Sequence, residues 1–410
     1  MTAYGRDPKV SVVIPTYNRR ELLHNTLLQL TRQSLPPDEF EVVVADDGST
    51  DDTRAVVDQF RDRLRLAYSY QEDLGFRAGT ARNAGARLAT APVLVFLDTG
   101  ALASPRFLEH HLRLHEFPQR HRMAIGYCYG YNPDEPMEGI GEVLDRLTPE
   151  QTVAELGDLP AFRDLRHDSM LRCDFDLGRR AQPWSLTWTI NCSIRADDFW
   201  AVDGFDDTFV GWGAEDLELA YRLHRNGVTF HFDRDAWVIE TPHERNWDIL
   251  EASFLRNMER FLDKHREPEI EIGVRLVAKF RVLDWSDCQG ELLEWTRKAH
   301  GLDVSGEIAY ALRNSEPGER VAVFGCGAAV PATVAPAVLL DFDRELLDAA
   351  LADGRHTGYH AVGLLTPLPD QSVDTVVITS RLSGLRTEWN TDLLAEAHRI
   401  GRRVIDAGDW

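Results

Sequence analysis

At 410 residues the chain is too long for one ordinary hydrophobic core, so two domains with a small third element are expected. Its 43% hydrophobic content is that of a soluble globular protein, and a formal charge of −22 with no compensating basic stripe excludes nucleic acid or an anionic membrane as the main partner. No run approaches the roughly 18 apolar residues of a membrane span, residues 1–8 are polar without a signal-peptide core, and the five cysteines lack CxxC spacing, which together predict a cytoplasmic protein with reduced thiols.

From the amino terminus, apolar runs alternate with helical patterns: strands at 10–14, 40–45, 64–70 and 93–97, helices at 20–33, 51–60 and 78–89. The alternation predicts an α/β fold with a doubly wound, mostly parallel sheet, whose ligands bind beyond the carboxyl ends of the strands. Three polar clusters fall there: Pro15-Thr16-Tyr17-Asn18-Arg19, Asp46-Asp47-Gly48-Ser49-Thr50 and Asp98-Thr99-Gly100. Residues 117–180 mix turns and charges without a clear periodic element and read as a lid or an acceptor-facing insertion. A buried strand is expected at about 186–194, with Trp184 and Trp188 best explained as core. The chain then turns at Gly204-Phe205-Asp206 and enters a helix that stops at Gly227. Short strands at 229–232 and 236–240 lead to His243, and 247–281 is amphipathic and helical. From about 318 the pattern changes to a second, short α/β unit with strands at 321–324, 338–341 and 373–378. The boundaries are therefore 1–260, a helical linker at 261–317, and 318–410.

Gly211-Trp212-Gly213-Ala214-Glu215-Asp216 places two adjacent carboxylates in the first turn of a helix, where its dipole favours negative charge. Such a pair suits a catalytic base; it is also what an ordinary acidic first turn looks like.

Residues 8–260 resemble glycosyltransferase family 2, which has the GT-A fold. The resemblance rests on Val10-Ser11-Val12-Val13-Ile14-Pro15-Thr16-Tyr17-Asn18-Arg19, Val44-Ala45-Asp46-Asp47-Gly48-Ser49-Thr50-Asp51, Arg82-Asn83-Ala84-Gly85, Phe96-Leu97-Asp98 and Gly204-Phe205-Asp206 with the Gly211–Asp216 block. That last block is similar to one in chondroitin-polymerase-type and galactosyl transferases. The resemblance implies an inverting, UDP-sugar-dependent hexosyltransferase. Pro15, Thr16, Tyr17 and Arg19, with Asp46 or Asp47, would then hold uracil and ribose. Arg77 and Arg82 would meet the diphosphate, with Asp98 and Thr99 beside it. Trp212, Gly213 and Glu215 would hold sugar or acceptor. Asp216 would be the base that deprotonates the acceptor hydroxyl, with Glu215 as runner-up.

The sequence departs from the family at Gly100, where relatives carry the last, manganese-ligating residue of a DxD or DxH motif. Either a divalent cation (Mn2+ or Mg2+) is held by fewer groups, Asp98 with His243, or the enzyme works without metal. His243 reads equally as a surface histidine beside Pro242. The carboxyl-terminal unit resembles a class I methyltransferase in Val321-Ala322-Val323-Phe324-Gly325-Cys326-Gly327, Leu340-Asp341-Phe342-Asp343 and residues 368–374. The spacing from Gly327 to Asp341 leaves little room for the usual helix, so the unit reads as a remnant serving acceptor docking or dimerisation, which would give a homodimer. The competing functions are an S-adenosylmethionine methyltransferase, a bifunctional fusion, and a catalytically silent sugar-nucleotide binder. The expected acceptor is a soluble small molecule, with a glucosylated cyclitol or aminocyclitol as one guess, or a glycan end.

Overall fold

The computed structural model describes residues 7–130, 137–243, 246–280 and 285–407. The chain divides into two compact units, Met1–Asn257 and Met258–Trp410. Most of the polar amino-terminal stretch, Arg281 of the amphipathic segment and residues 408–410 of the second unit lie outside the described residues.

The first unit opens with β1 (Val10–Thr16), α1 (Arg20–Leu30), β2 (Phe40–Asp46), α2 (Thr53–Asp58), β3 (Leu66–Tyr70), α3 (Ala78–Leu88) and β4 (Val93–Leu97), in the predicted alternation. Next come β5 (Ala101–Ala103), α4 (Phe107–Leu114), β6 (Arg122–Tyr129), α5 (Ile140–Arg146), α6 (Pro149–Leu156) and α7 (His167–Leu171). They are followed by β7 (Asn191–Arg195), α8 (Ala196–Ala201), α9 (Glu215–Arg225), β8 (Thr229–Glu240) and α10 (Trp247–Lys264). The sheet order is β3-β2-β1-β4-β7-β6-β8-β5. β3, β2, β1 and β4 run parallel; the Val/Ile/Leu runs of β2, β1 and β4 are buried on both faces as a covered parallel sheet requires, and the edge strand β3 is half-buried. β7 is antiparallel to both β4 and β6, β6 is parallel to β8, and β5 is antiparallel to β8, so the far half of the sheet is mixed.

Three expectations change here. Residues 117–180 include β6, an interior strand whose Met123, Ala124, Ile125 and Cys128 are fully buried, so that part is core. The strand expected at 186–194 is shorter: residues 183–186 form a 3-10 turn and β7 starts at Asn191. The two short strands before His243 are one strand, β8, with a register irregularity opposite Gly126 and Cys128. Trp184 is buried, and Trp188 packs against the core beneath the Arg166 guanidinium, 4.4 Å from its ring. The five cysteines are free thiols, and no helix among the described residues is long and apolar enough to cross a membrane.

The second unit contains α11 (Pro268–Phe280), α12 (Ser286–Ala299), α13 (Ser305–Ala311), β9 (Val321–Phe324), β10 (Val338–Asp341), α14 (Arg344–Leu351), β11 (Thr357–His360), β12 (Val373–Ile378), α15 (Arg386–Ile400) and β13 (Gly401–Asp406). Its parallel sheet has the order β11-β10-β9-β12-β13. Helices of the expected linker pack within it: the buried Glu271 carboxylate of α11 accepts the backbone N–H groups of Val362, Gly363, Leu364 and Leu365. Residues 325–337, between β9 and β10, form no helix. Asp341 accepts from the Gly327 N–H at 2.8 Å and from Arg381 Nε and Nη2 at 2.9 and 3.0 Å, and both side chains of this ion pair are fully buried. The acidic strand end and the helix N-terminus on which the S-adenosylmethionine alternative depended are thus, respectively, occupied by Arg381 and missing.

Candidate active site

Two adjacent strand ends fix the first wall of the site. β1 and β2 pair in register to Thr16 opposite Asp46, and the Asp47 N–H donates to the Thr16 carbonyl at 2.9 Å. Asn18, at φ 50°, accepts on Oδ1 from the Thr50 N–H at 2.8 Å, while its own N–H donates to Ser49 Oγ at 2.8 Å. The two loops are therefore stitched together before any ligand arrives. Asp46 is 2% exposed and caps its own turn, accepting from the Gly48 and Ser49 N–H groups, while Tyr68 Oη donates to its other oxygen at 2.6 Å. Asp47 accepts from Gln71 Nε2 and from the Arg77 N–H at 2.7 Å, and it borders the cavity. Burial raises the Asp47 carboxyl, and the Gln71 and Arg77 donors oppose that. Of the two aspartates left open by the sequence, only Asp47 faces a ligand space.

That space is a cavity of about 390 Å3 at the carboxyl edge of the sheet. Pro15, Thr16, Tyr17 and Arg19 line it from the first loop, Asp98 and Thr99 from the end of β4, Trp212 from the glycine-rich turn, and Glu240 and His243 from the end of β8. Tyr17 Oη donates to Asp73 at 2.8 Å, and Thr99 Oγ1 donates to the Pro15 carbonyl at 2.8 Å, tying the β4 end to the first loop. Glu240, Asp73, Phe76, Ile190, Asn246, Ile249 and Leu250 also line the cavity and were not anticipated. Glu240 carried a readable signal, an acid at a strand end three residues before His243.

The two arginines expected at the diphosphate are engaged elsewhere. Arg82, on α3, is 4% exposed; its Nη2 donates to Asp98 Oδ1 at 2.8 Å and its Nη1 to Glu215 Oε1 at 3.1 Å. Arg77 meets Asp47 through its backbone N–H, while its guanidinium donates to the Glu72 carbonyl and lies 3.8 Å from Asp47 Oδ1. Both guanidiniums answer the protein's own acids.

The Gly211–Asp216 block is a clasped turn. Gly211 and Gly213 both sit at φ 91°, and Ala214, the N-cap of α9, at φ 69°. α10 closes over the turn: a Cβ on Gly211 would lie 2.0 Å from Ser253 Oγ, and one on Gly213 2.7 Å from the Phe254 ring. Only glycine offers both that backbone and that clearance. Asn257 Nδ2 donates to the Gly213 carbonyl at 2.9 Å, the Gly211 N–H donates to the Phe76 carbonyl at 2.8 Å, and the Trp212 ring packs on Phe254. Gly213 thus supports the turn, and Trp212 forms a cavity wall.

Glu215 and Asp216 open α9 as expected, behind Asp98 and the Arg82 bridge; neither is among the residues lining the cavity. Glu215 is 8% exposed and committed through Oε1 to Arg82. Asp216 has its carboxyl raised to about 7, first by burial and then by the Glu215 charge, with Arg82 pulling the other way. A base poised near neutrality, held beside a fixed cation, can accept a proton from a hydroxyl.

Asp98 and His243 line the same cavity, and with Glu240 they offer oxygen donors and one imidazole. Among the described residues, the trio of acid and imidazole ligand atoms within 4.8 Å of one another lies elsewhere, at His110, Asp233 and Asp235.

Residues 11–150 match the family described as glycosyl transferase family 2, and residues 171–243 match the N-terminal domain of galactosyltransferase. The chain is 44% identical to validoxylamine A glucosyltransferase of Streptomyces hygroscopicus subsp. limoneus, over 97% of this chain and 90% of the relative. It is 44% identical to the enzyme of the same name from Streptomyces hygroscopicus subsp. jinggangensis (strain 5008), over 97% of each. Chondroitin synthase of Escherichia coli is 28% identical over 58% of this chain and 35% of its own length.

Proposed function

The chain belongs to glycosyltransferase family 2, and from that premise we propose that it transfers one sugar, with inversion, from a UDP-sugar to a hydroxyl of a soluble aminocyclitol, with UDP-glucose and validoxylamine A as the pair to test first. The observation that carries this reading is the single cavity on which Tyr17, Arg19, Asp47, Asp98, Trp212 and His243 converge from distant parts of the sequence. The full-length relatives support the choice of glucose and aminocyclitol.

In this reading Asp47 accepts from the uracil N–H or a ribose hydroxyl, and the first loop holds the nucleoside against Tyr17. Among the described residues Arg19 is the arginine that lines the cavity, and it takes over the diphosphate role first expected of Arg77 and Arg82. Trp212 offers an apolar face to a sugar ring. Asp216 removes the acceptor proton as the hydroxyl oxygen attacks the anomeric carbon and the bond to the diphosphate oxygen breaks on the opposite face. Glu215, held by Arg82, positions the base.

The donor set at the β4 and β8 ends fits a hard divalent cation, with Asp98 and His243 as ligands and Glu240 beside them. Bound there, the cation would neutralise charge growing on the departing diphosphate.

The test is incubation with UDP-glucose and validoxylamine A in Mn2+ or Mg2+, following UDP release and product mass, with the anomeric coupling read by proton NMR. A β-glucoside from the α-linked donor is expected. No UDP release across a panel of UDP-sugars, or an α-linked product, overturns the reading.

A further inference from the structure

We infer that His110, Asp233 and Asp235 form a divalent-cation site independent of the sugar-nucleotide cavity, of the kind that takes Zn2+, Co2+ or Ni2+. His110 lies on α4, and Asp233 and Asp235 are two residues apart on β8, in the stretch where its register against β6 is irregular. One ligand atom from each of the three lies within 4.8 Å of the others. Around a tetrahedral ion with bonds of about 2.1 Å, ligand atoms stand about 3.4 Å apart, so a contraction on the order of 1 Å completes the shell. Asp235 is exposed and supplies that movement, and its N–H already donates to Asp233 Oδ1 at 2.9 Å, holding the hairpin of ligands in shape.

A separate observation points to a ligand. His110 is only 9% exposed, and its Nδ1 has no hydrogen-bond partner, standing 3.5 Å from Asp233 Oδ2. A buried ring nitrogen thus faces a buried carboxylate across that gap with no hydrogen bond between them. A cation in the gap satisfies both. The neighbouring positive group is Arg113, whose Nη2 donates to Asp233 Oδ2 at 3.0 Å; its side chain is 59% exposed and can turn to solvent at little cost. One imidazole with two carboxylates and room for water suits the borderline metals. None of the three residues lines the sugar-nucleotide cavity, so this ion would not touch the nucleotide. Its effect would be to fasten α4 to β8.

The full chain, stripped with EDTA and free of nucleotide, is titrated with Co2+ by visible absorption and with Zn2+ by calorimetry. One ion per chain is expected at this site, with affinity at least tenfold weaker in Asp235→Asn and in His110→Gln and unchanged in Asp98→Ala. Asp235→Asn alters an exposed side chain and keeps the test valid should His110→Gln fail to fold. Equal binding by wild type and Asp235→Asn, or no Co2+ and no Zn2+ bound by the wild type at millimolar concentration, overturns the assignment.

Discussion

Replacing Asp216 by asparagine separates catalysis from stability, because the charge that makes Asp216 a base is also a cost to the fold. Its carboxyl moves from 3.8 to about 7 in the folded protein, and at about 1.4 kcal/mol per pKa unit the ionised form is disfavoured by at most about 4 kcal/mol. Sharing of charge with Glu215 and Arg82 makes about 2 kcal/mol the working figure. The sign follows from the raised carboxyl: the folded state binds the proton more tightly than the unfolded state, so wild-type stability falls as pH rises from about 4 to about 7. Asparagine is isosteric and uncharged, and its side-chain oxygen can keep the bond from the Leu217 N–H, 2.9 Å in the wild type. The stabilisation it brings is therefore full above about pH 7 and vanishes near pH 4. In a unit of this size, about 2 kcal/mol amounts to roughly 4–8 °C in Tm. Meanwhile kcat should fall by about 10²–10⁴, the usual worth of a general base, with UDP affinity unchanged. Calorimetric unfolding at pH 8 and pH 5, turnover by UDP release and UDP titration make the three measurements. Turnover within tenfold of wild type, or a lower Tm at pH 8, would refute the assignment of Asp216.

The same carboxyl predicts that log kcat rises with unit slope below about pH 7 and levels above it, as a steady-state pH profile would show. Gly211→Ala forces a Cβ to 2.0 Å from Ser253 Oγ at a left-handed φ; a loss of about 2–4 kcal/mol in urea unfolding is expected, and a loss under 1 kcal/mol would mean the clasp is loose. Arg82→Met leaves Asp98 and Glu215 without their shared cation and should cost about 3–5 kcal/mol in the same assay, with wild-type stability counting against the bridge. Chelation by EDTA should weaken UDP binding at least tenfold in calorimetry, and undiminished binding would argue for a metal-free site.

Much of the first unit is readable from its sequence, because parallel strands buried on both faces announce themselves as apolar runs and their ends as polar clusters. The site was harder, for reasons of geometry. Asp46 and Asp47 look equivalent as letters, yet successive residues leaving a strand point to opposite sides, so one caps a turn and the other meets the cavity. Arg82 lies 133 residues from Glu215, and no local pattern says which carboxylates a buried guanidinium will choose. β6 is an apolar run flanked by charge, a pattern that periodicity alone cannot assign. Glu240 gains meaning only through pairing: it stands opposite Ala101 across β5 and β8, and the Thr241 N–H donates to the Gly100 carbonyl at 3.0 Å. The carboxylate missing from position 100 thus has a counterpart in space, brought in by another strand.

That placement bears on how a protein of formal charge −22 can hold a diphosphate at all. Among the described residues the cavity is lined by the carboxylates of Asp47, Asp73, Asp98 and Glu240 and by one arginine, Arg19. Arg77 and Arg82, which would have redressed the balance, spend their positive charge on Asp47, Asp98, Glu215 and the Glu72 carbonyl. Like charges a few ångströms apart in a partly buried space repel by kcal/mol rather than tenths, so these acids weigh against a nucleoside diphosphate entering the cavity. A divalent ion held as proposed by Asp98 and His243 would reverse the local sign there. On the proposed reading the acidic lining and Gly100 belong to one arrangement, in which the ion would meet the diphosphate and Arg82 would hold Glu215 beside the base.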